Sequence, residues 1–541
     1  MTGERHLARL ARELGAAIVG GPLSAAELGL LRSCETAVPP SKRELAELRK
    51  QIRGGTDPLG ESLCAMRTPA ERRATGSFFT PRPIVDAMLA WVSLQEAGEI
   101  VDCGAGSGRF ALAAARLPTV ESVIAVETDP LACLIMRANA AVLKIQSLRV
   151  VRADFTALSF PATSRRRAFV GNPPYVRHHG LAADQKKRCQ RVAADLGIKL
   201  SGLAGLHAHF IVAAAAAMHP GDVLCFITAA EWLDVNYGSG VRALMLDGLR
   251  AEEVHLLDAR TPAFEDAAST AVIVCARSGG TAERVRFKTA RSVSSLVRLG
   301  LGGRLVSRSD LEGARSWGRI ARNQYRDPPD DGAIPLGSLA RVHRGAVSGA
   351  NDFFVMTLRQ AQLLSIENCV RSVLSSAEEV LAANGIVRRG ERTKVILCPP
   401  ELAVLKRKER EALNVYVAIG HDRGIHERYV PAHRSPWWRP QLLPPPPIVA
   451  TYMARQAPVF ALNPDGLHIL NVIHGLYPLK PLSDDQLVEL VTELNALRET
   501  YKGHGRTYLG GLEKFEPREM ERLRLGIDSA RKFAMLCDAP V

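Results

Sequence analysis

Asn172-Pro173-Pro174-Tyr175 is the segment of this chain best suited to chemistry on a flat, conjugated amine. The side-chain oxygen of Asn172 and a proline carbonyl can both accept hydrogen bonds from one amino group, which leaves its lone pair less conjugated and aimed outward at an electrophilic methyl. Proline fixes φ and stiffens that geometry. Tyr175 offers a flat face on which a planar base can stack, an interaction worth ~1–3 kcal/mol per base. A base reaching that face must first leave the double helix, which costs a few kcal/mol. Taken alone, the same four residues also describe a turn that ends a strand, so their surroundings decide.

Three acidic positions precede the segment. Asp102-Cys103-Gly104-Ala105-Gly106-Ser107-Gly108 follows the apolar Ile100-Val101 and opens a helical run with Phe110, Leu112 and Ala113 as packing positions. Glycines permit the turn and let a ligand approach the backbone closely. Glu127 stands 21 residues after Gly106, at the end of an apolar stretch, where a carboxylate can accept both hydroxyls of a ribose. Asp154-Phe155 follows the next strand, where an acid can accept the amino group of an adenine and a phenyl ring can pack against it. Each acid taken singly could instead cap a following helix, the less favoured reading. Their ordered recurrence at the carboxyl ends of strands, where α/β sheets bind ligands, points to one adenosine-bearing ligand. No basic residue lies within Gly104–Gly108 to meet a pyrophosphate. S-adenosyl-L-methionine therefore suits the site better than a dinucleotide, and its methyl leaves by in-line displacement, a reaction that depends chiefly on positioning.

The elements needed to hold these groups are legible. From about 99 to 280 apolar strands alternate with helical segments, at Ile100–Asp102, Ser122–Glu127, Arg149–Arg152, Ala168–Gly171, Val223–Thr228, Val254–Leu257 and Ala271–Ala276, which predicts an α/β domain with a mixed, mostly parallel seven-stranded sheet. The last two strands have no helix between them and read as a closing antiparallel pair. Residues 1–75 read as a helical N-terminal extension, 76–320 as the catalytic domain, and 321–541, rich in Pro, Arg and aromatics, as an α+β domain. A linker is expected around Asp327-Pro328-Pro329-Asp330-Asp331-Gly332. Pro444–Pro447 reads as a rigid crossing inside a folded domain, because Ile448-Val449-Ala450 resumes at once as a strand.

The 70 Lys and Arg against 56 Asp and Glu give a net charge of +14, which points to a polyanionic partner. Nine of the basic residues and only two acidic ones fall within 161–200, a local +7 around Asn172–Tyr175 that reads as a phosphate-contacting rim. The ten cysteines are scattered singly, and His178-His179 and His207/His209 lack companions for a metal site, so no metal is expected. No stretch approaches a membrane span and the N-terminus lacks a signal peptide's apolar core, which predicts a cytoplasmic protein.

In this order of motifs the chain resembles the gamma class of S-adenosylmethionine-dependent adenine-N6 DNA methyltransferases of type II restriction-modification systems, the TaqI methyltransferase-like enzymes. The resemblance covers roughly residues 57–280 strongly and the rest loosely. It implies a Rossmann-like class I methyltransferase domain followed by a C-terminal target-recognition domain. It also implies double-stranded DNA as partner, a separately encoded restriction endonuclease, and a monomer. By the resemblance, Phe79, Thr80, Pro81, Asp102, Gly104, Gly106, Glu127, Asp154 and Phe155 would bind the cofactor. Asn172, Pro173, Pro174 and Tyr175 would hold a flipped adenine, and Phe264, in Thr261-Pro262-Ala263-Phe264, would supply a second aromatic packed on the base. The sequence has Phe78-Phe79-Thr80-Pro81 where the class more usually has Phe-Tyr-Thr-Pro, a mild departure. The competing expectations are a protein-glutamine or RNA methyltransferase using the same Asn-Pro-Pro-Tyr chemistry, a noncatalytic DNA-binding protein on this fold, and a fusion that also cuts DNA. The basic flank, the position of Phe79-Thr80-Pro81 and the long C-terminal region favour DNA.

Overall fold

The computed structural model describes residues 2–68, 71–72, 80–257, 270–290, 296, 299–314, 316–322, 333–454, 457–501, 505–507 and 512–526. The chain divides into two compact units, Met1–Tyr325 and Arg326–Val541. Phe79, Phe264 and the expected linker at 327–332 lie outside the described residues.

The first unit is built on one sheet. Its strands are β1 (Glu99–Cys103), β2 (Ser122–Glu127), β3 (Leu148–Arg152), β4 (Arg167–Gly171), β5 (Val223–Ala229), β6 (Asp247–Leu257), β7 (Ala271–Thr281), β8 (Arg284–Ala290) and β9 (Arg304–Ser307). They are ordered β3-β2-β1-β4-β5-β7-β6-β8-β9. Among the described residues the sheet thus has nine strands rather than the seven expected. β8, parallel to β6, and β9, antiparallel to β8, extend the edge beyond the closing β6–β7 pair. Their short, charge-interrupted sequences, such as Arg284-Val285-Arg286, leave only every second residue to the core, so their apolar signal is weak. The first five strands pair in parallel, which brings the ends of β1, β2, β3 and β4 to one edge.

Burial of both faces explains why the central strands β1, β4 and β5 are almost continuously apolar. In β5, Val223, Cys225 and Ile227 pack on one face with the helix α5 (Arg82–Ser93), while Leu224 and Phe226 pack on the other with α9 (Leu206–Ala217). At the end of β4, Gly171 has φ +141°, and a Cβ there would stand 3.0 Å from the Cys103 carbonyl oxygen and 3.1 Å from Asp102 Oδ1. Only glycine lets β4 close so tightly on β1 immediately before Asn172.

The N-terminal helices α1 (Thr2–Glu13), α2 (Ala25–Ser33), α3 (Lys42–Arg53) and α4 (Pro58–Met66) belong to this first unit. Their apolar faces, including Leu7, Leu10, Leu31, Ile52 and Leu63, share a core with Leu131, Leu134 and Ile135 of α7 (Pro130–Leu143). Two further helices complete the working edge: α6 (Arg109–Ala114) after the glycine-rich loop, and α8 (Ala183–Asp195) after Asn172–Tyr175.

The second unit is α+β. One four-stranded sheet runs in the order Ala340–Arg344, Ile473–Pro478, Ile448–Thr451, Phe460–Leu462. A second runs Val355–Thr357, Lys394–Leu397, Val370–Leu374, His468–Ile469. The Pro444–Pro447 run is a crossing inside this unit, since the Pro444 carbonyl accepts from the Tyr477 hydroxyl and the Pro446 carbonyl from Asn463 Nδ2, each at 2.8 Å.

Candidate active site

The carboxyl ends of β1 to β4 surround a cavity of about 540 Å³, within the ~300–1,000 Å³ typical of small-molecule sites. Its walls include Thr80, Gly104, Gly106, Glu127, Asp154, Phe155, Asn172 and Pro174. One cavity therefore brings together eight residues that sequence reading selected from five separate segments.

Each is held by its own local structure. Glu127 Oε1 accepts from the Thr128 and Asp129 amides at 2.7 and 2.9 Å, and Oε2 accepts from the Gly106 amide at 2.8 Å. The carboxylate is thereby fixed against the glycine-rich loop, and Oε2 keeps a lone pair for a hydroxyl donor. Asp154 caps the turn Phe155–Ala157 through the Thr156 amide at 2.9 Å, and its other oxygen pairs with Arg188 Nη2 of α8 at 2.8 Å. The Phe155 ring lies 5.2 Å from that of Phe210, tilted by 31°. Gly104 has φ +86°, and a Cβ there would approach the Phe210 ring at 3.6 Å and Pro174 at 3.8 Å. A side chain at 104 would thus fill the slot between those two. A slot with apolar walls and two fixed carboxylates fits an adenosine.

Other selected residues stand outside the cavity lining. Asp102, expected at the cofactor, is fully buried beneath the loop, where Oδ2 accepts from the Ala111 amide in the first turn of α6 at 2.9 Å. Burial pushes its carboxyl up to about 8, opposed by the Ala111 amide and reinforced by the nearby Glu127 charge. Pro81 precedes the first turn of α5. Pro173 is buried, and Tyr175 is half-buried against the core beside the sheet, its hydroxyl pKa raised by burial. His207 and His209 are buried on α9, and burial lowers each to about 4.

The basic cluster at 161–200 requires a correction. Arg165, Arg166 and Arg167 lie at the start of β4, the opposite end of the strand from Asn172, ~13 Å away at ~3.3 Å per residue. Arg165 pairs with Glu121 at 2.6 Å, Arg166 donates to the Gln95 carbonyl at 2.5 Å, and the buried Arg167 pairs with Glu99 at 2.5 Å. Arg188 is engaged by Asp154. Only the part after the motif, with Arg177, Lys187 and Arg191 exposed, shares the working edge. Linear charge counting cannot see that a five-residue strand separates two halves of a cluster.

Sequence reading also missed Arg67, Arg109, Gln185, Leu206 and Phe210, all of which line the cavity. Leu206 and Phe210 were recoverable in principle, being one turn apart on an apolar helix that follows the motif. Arg67 carries no local signal, since its place depends on how α4 packs.

Residues 322–538 match the family model of the type II methyltransferase M.Eco57I C-terminal domain, and residues 157–264 match that of the Eco57I restriction-modification methylase. Residues 75–162 match the ribosomal protein L11 methyltransferase model. The chain is 40% identical over 509 residues to the type II methyltransferase M.XamI of Xanthomonas campestris pv. amaranthicola, covering 93% of this chain and 94% of that one. Likeness to the release factor glutamine methyltransferase of Mycobacterium leprae is 39% over 103 residues, 18% of this chain and 35% of that enzyme. In fold, the chain resembles the type IIL restriction-modification enzyme MmeI solved with DNA, with a TM-score of 0.61 at 12% identity, covering 97% of this chain and 81% of that one. The chain belongs to the type II methyltransferases, the S-adenosylmethionine-dependent DNA methyltransferases of restriction-modification systems.

Proposed function

We propose that the protein transfers a methyl group from S-adenosyl-L-methionine to the N6 amino group of an adenine flipped out of a specific duplex sequence. The observation that carries this reading is the shared cavity: Asn172 and Pro174 form one wall of the space whose other walls are Gly104, Glu127, Asp154 and Phe155. The cofactor supplies an electrophilic methyl on a sulfonium. Glu127 Oε2 would accept a ribose hydroxyl, Asp154 the adenine amino group, and the adjoining Phe155 and Phe210 rings would form one apolar wall against the adenine ring. Asn172 Oδ1 and a proline carbonyl would accept both protons of the target amine, turning its lone pair toward the methyl, while Tyr175 stacks on the base. The surplus proton then leaves to solvent. Phe79 and Phe264 would complete the cofactor and base sites as the gamma-class resemblance implies.

Residues 326–541 would read the target sequence, with Arg177, Lys187 and Arg191 on phosphates beside the motif. In the cell the methylation would protect DNA from a separately encoded restriction endonuclease. The shared amine chemistry also suits a glutamine amide, but the likeness to an enzyme of that kind is confined to a short segment, whereas that to M.XamI spans both units. Asn172→Ala should slow methyl transfer to DNA by roughly 10- to 100-fold while leaving the cofactor Kd within about fivefold, since a lost acceptor for the target costs ~1–3 kcal/mol in the transition state. Full activity in that variant would refute the role of Asn172.

A further inference from the structure

We propose that Asp57, a residue outside the cofactor cavity, is the positioning residue that fixes two of the cavity's walls, so that the N-terminal helical segment is part of the cofactor site. The carboxylate receives donors from four elements. Oδ1 accepts from the Gly60 amide at 3.1 Å, capping α4, and from Asn139 Nδ2 of α7 at 3.1 Å. Oδ2 accepts from Ser107 Oγ at 2.5 Å and from Arg109 Nε at 3.1 Å. Ser107 is buried and belongs to the glycine-rich loop. Arg109 Nη1 in turn donates to the Thr80 carbonyl at 3.2 Å. One side chain therefore fastens the loop directly and the Thr80 wall through a single arginine.

The loop needs such a fastening. The Gly104 and Ala105 amides donate to the Val126 carbonyl at 2.9 Å, which holds the start of the loop to β2, while Asp57 holds its far end at Ser107. Behind it lies a second cavity of about 280 Å³ lined by Ile52, Arg82, Asn139 and the Asp57–Ser107–Arg109 group. Ser107 of the loop and Arg109 line both cavities, so this group stands between them. Gly60 is fitted to the arrangement, because a Cβ there would overlap the Asp57 carboxylate.

The inference rests on assigning the larger cavity to the cofactor, and the experiment separates the two. Equilibrium Kd for S-adenosylmethionine and steady-state KM for cofactor and DNA would be measured on the full chain. The proteins are wild type, Asp57→Asn, Gly60→Ala, Ser107→Ala, the double variant Asp57→Asn/Ser107→Ala, Glu127→Ala, and Arg12→Ala as a control on an exposed N-terminal ion pair. We expect Asp57→Asn to raise cofactor Kd and KM at least tenfold with the DNA KM within twofold. Gly60→Ala should do the same by displacing the carboxylate, and it suits a helix better than glycine, which guards against a variant that fails to fold. The double variant should bind no more than twofold worse than Asp57→Asn, as expected of residues acting as one unit. Cofactor Kd within twofold of wild type in folded Asp57→Asn or Gly60→Ala, with Glu127→Ala weakened, would overturn the role of Asp57 alone. Unchanged binding in Glu127→Ala would overturn the cavity assignment and this inference with it.

Discussion

Asp154 Oδ2, the oxygen that faces away from the turn it caps, is paired with Arg188 Nη2 at 2.8 Å. The acid proposed to recognise the cofactor's adenine is thus engaged by the helix that follows Asn172–Tyr175. Both side chains are more than a third exposed, and an ion pair so open to solvent is worth ~0–1 kcal/mol. Displacing or sharing Arg188 is therefore cheap. Arg188→Gln should leave cofactor Kd unchanged or tighten it by up to about fivefold, whereas Asp154→Ala should weaken it. Calorimetric titration checks both, and a marked weakening in Arg188→Gln would mean that the arginine orients Asp154 rather than competing for it.

Asp102 is predicted to tolerate amidation. Burial pushes its carboxyl up to about 8, which favours the neutral acid over the charged form near pH 7. Asparagine presents the same oxygen to the Ala111 amide. Asp102→Asn should keep the unfolding free energy within ~1 kcal/mol, while Asp102→Ala, which strands a buried N–H, should cost ~1–3 kcal/mol. Chemical denaturation of the two variants distinguishes a loop-capping acid from one that acts through its charge.

Arg137 joins the N-terminal segment to the sheet. It is fully buried, pairs with Glu27 at 2.7 Å, and donates to the Val19 and Gly21 carbonyls at 2.8 Å and to that of Pro22 at 2.9 Å. Removing one partner of a buried pair typically costs ~3–5 kcal/mol. Glu27→Ala should lower stability by about that amount and Tm by several degrees. A Tm unchanged within a degree would show that the network adds nothing.

His207 and His209 set an acid limit. Burial lowers both from the ordinary 6.5 to about 4, so the unfolded chain binds their protons first as pH falls. Their neutral forms therefore contribute stability that is complete above about pH 6.5 and is lost progressively toward pH 4, up to ~3 kcal/mol for each. Tm measured across that window should fall less steeply in His207→Gln/His209→Gln than in wild type. Parallel slopes would contradict the assignment.

The parts of this site that were legible in sequence are those fixed by local rules. Gly104, Gly106, Glu127, Asp154 and Asn172 each stand where an apolar strand ends, and a parallel sheet carries all such ends to one edge. The seven central strands announced themselves as apolar runs between helical segments, while β8, interrupted by Arg284, Arg286 and Lys288, and the four-residue β9 did not. Asp102 looked like its neighbouring acids and differs only in facing the helix instead of the cavity, a choice made by one backbone amide. Asp57, Arg67 and Arg188 were not legible, since each meets its partner across 50, 62 and 34 residues of sequence, respectively.

The central claim is the identity of the methylated atom. Duplex DNA treated with the protein and methyl-labelled S-adenosylmethionine, then digested to nucleosides and separated by chromatography, should carry its label in N6-methyldeoxyadenosine alone. Label in a methylated cytosine, or in release factor or RNA with none in DNA adenine, would contradict it.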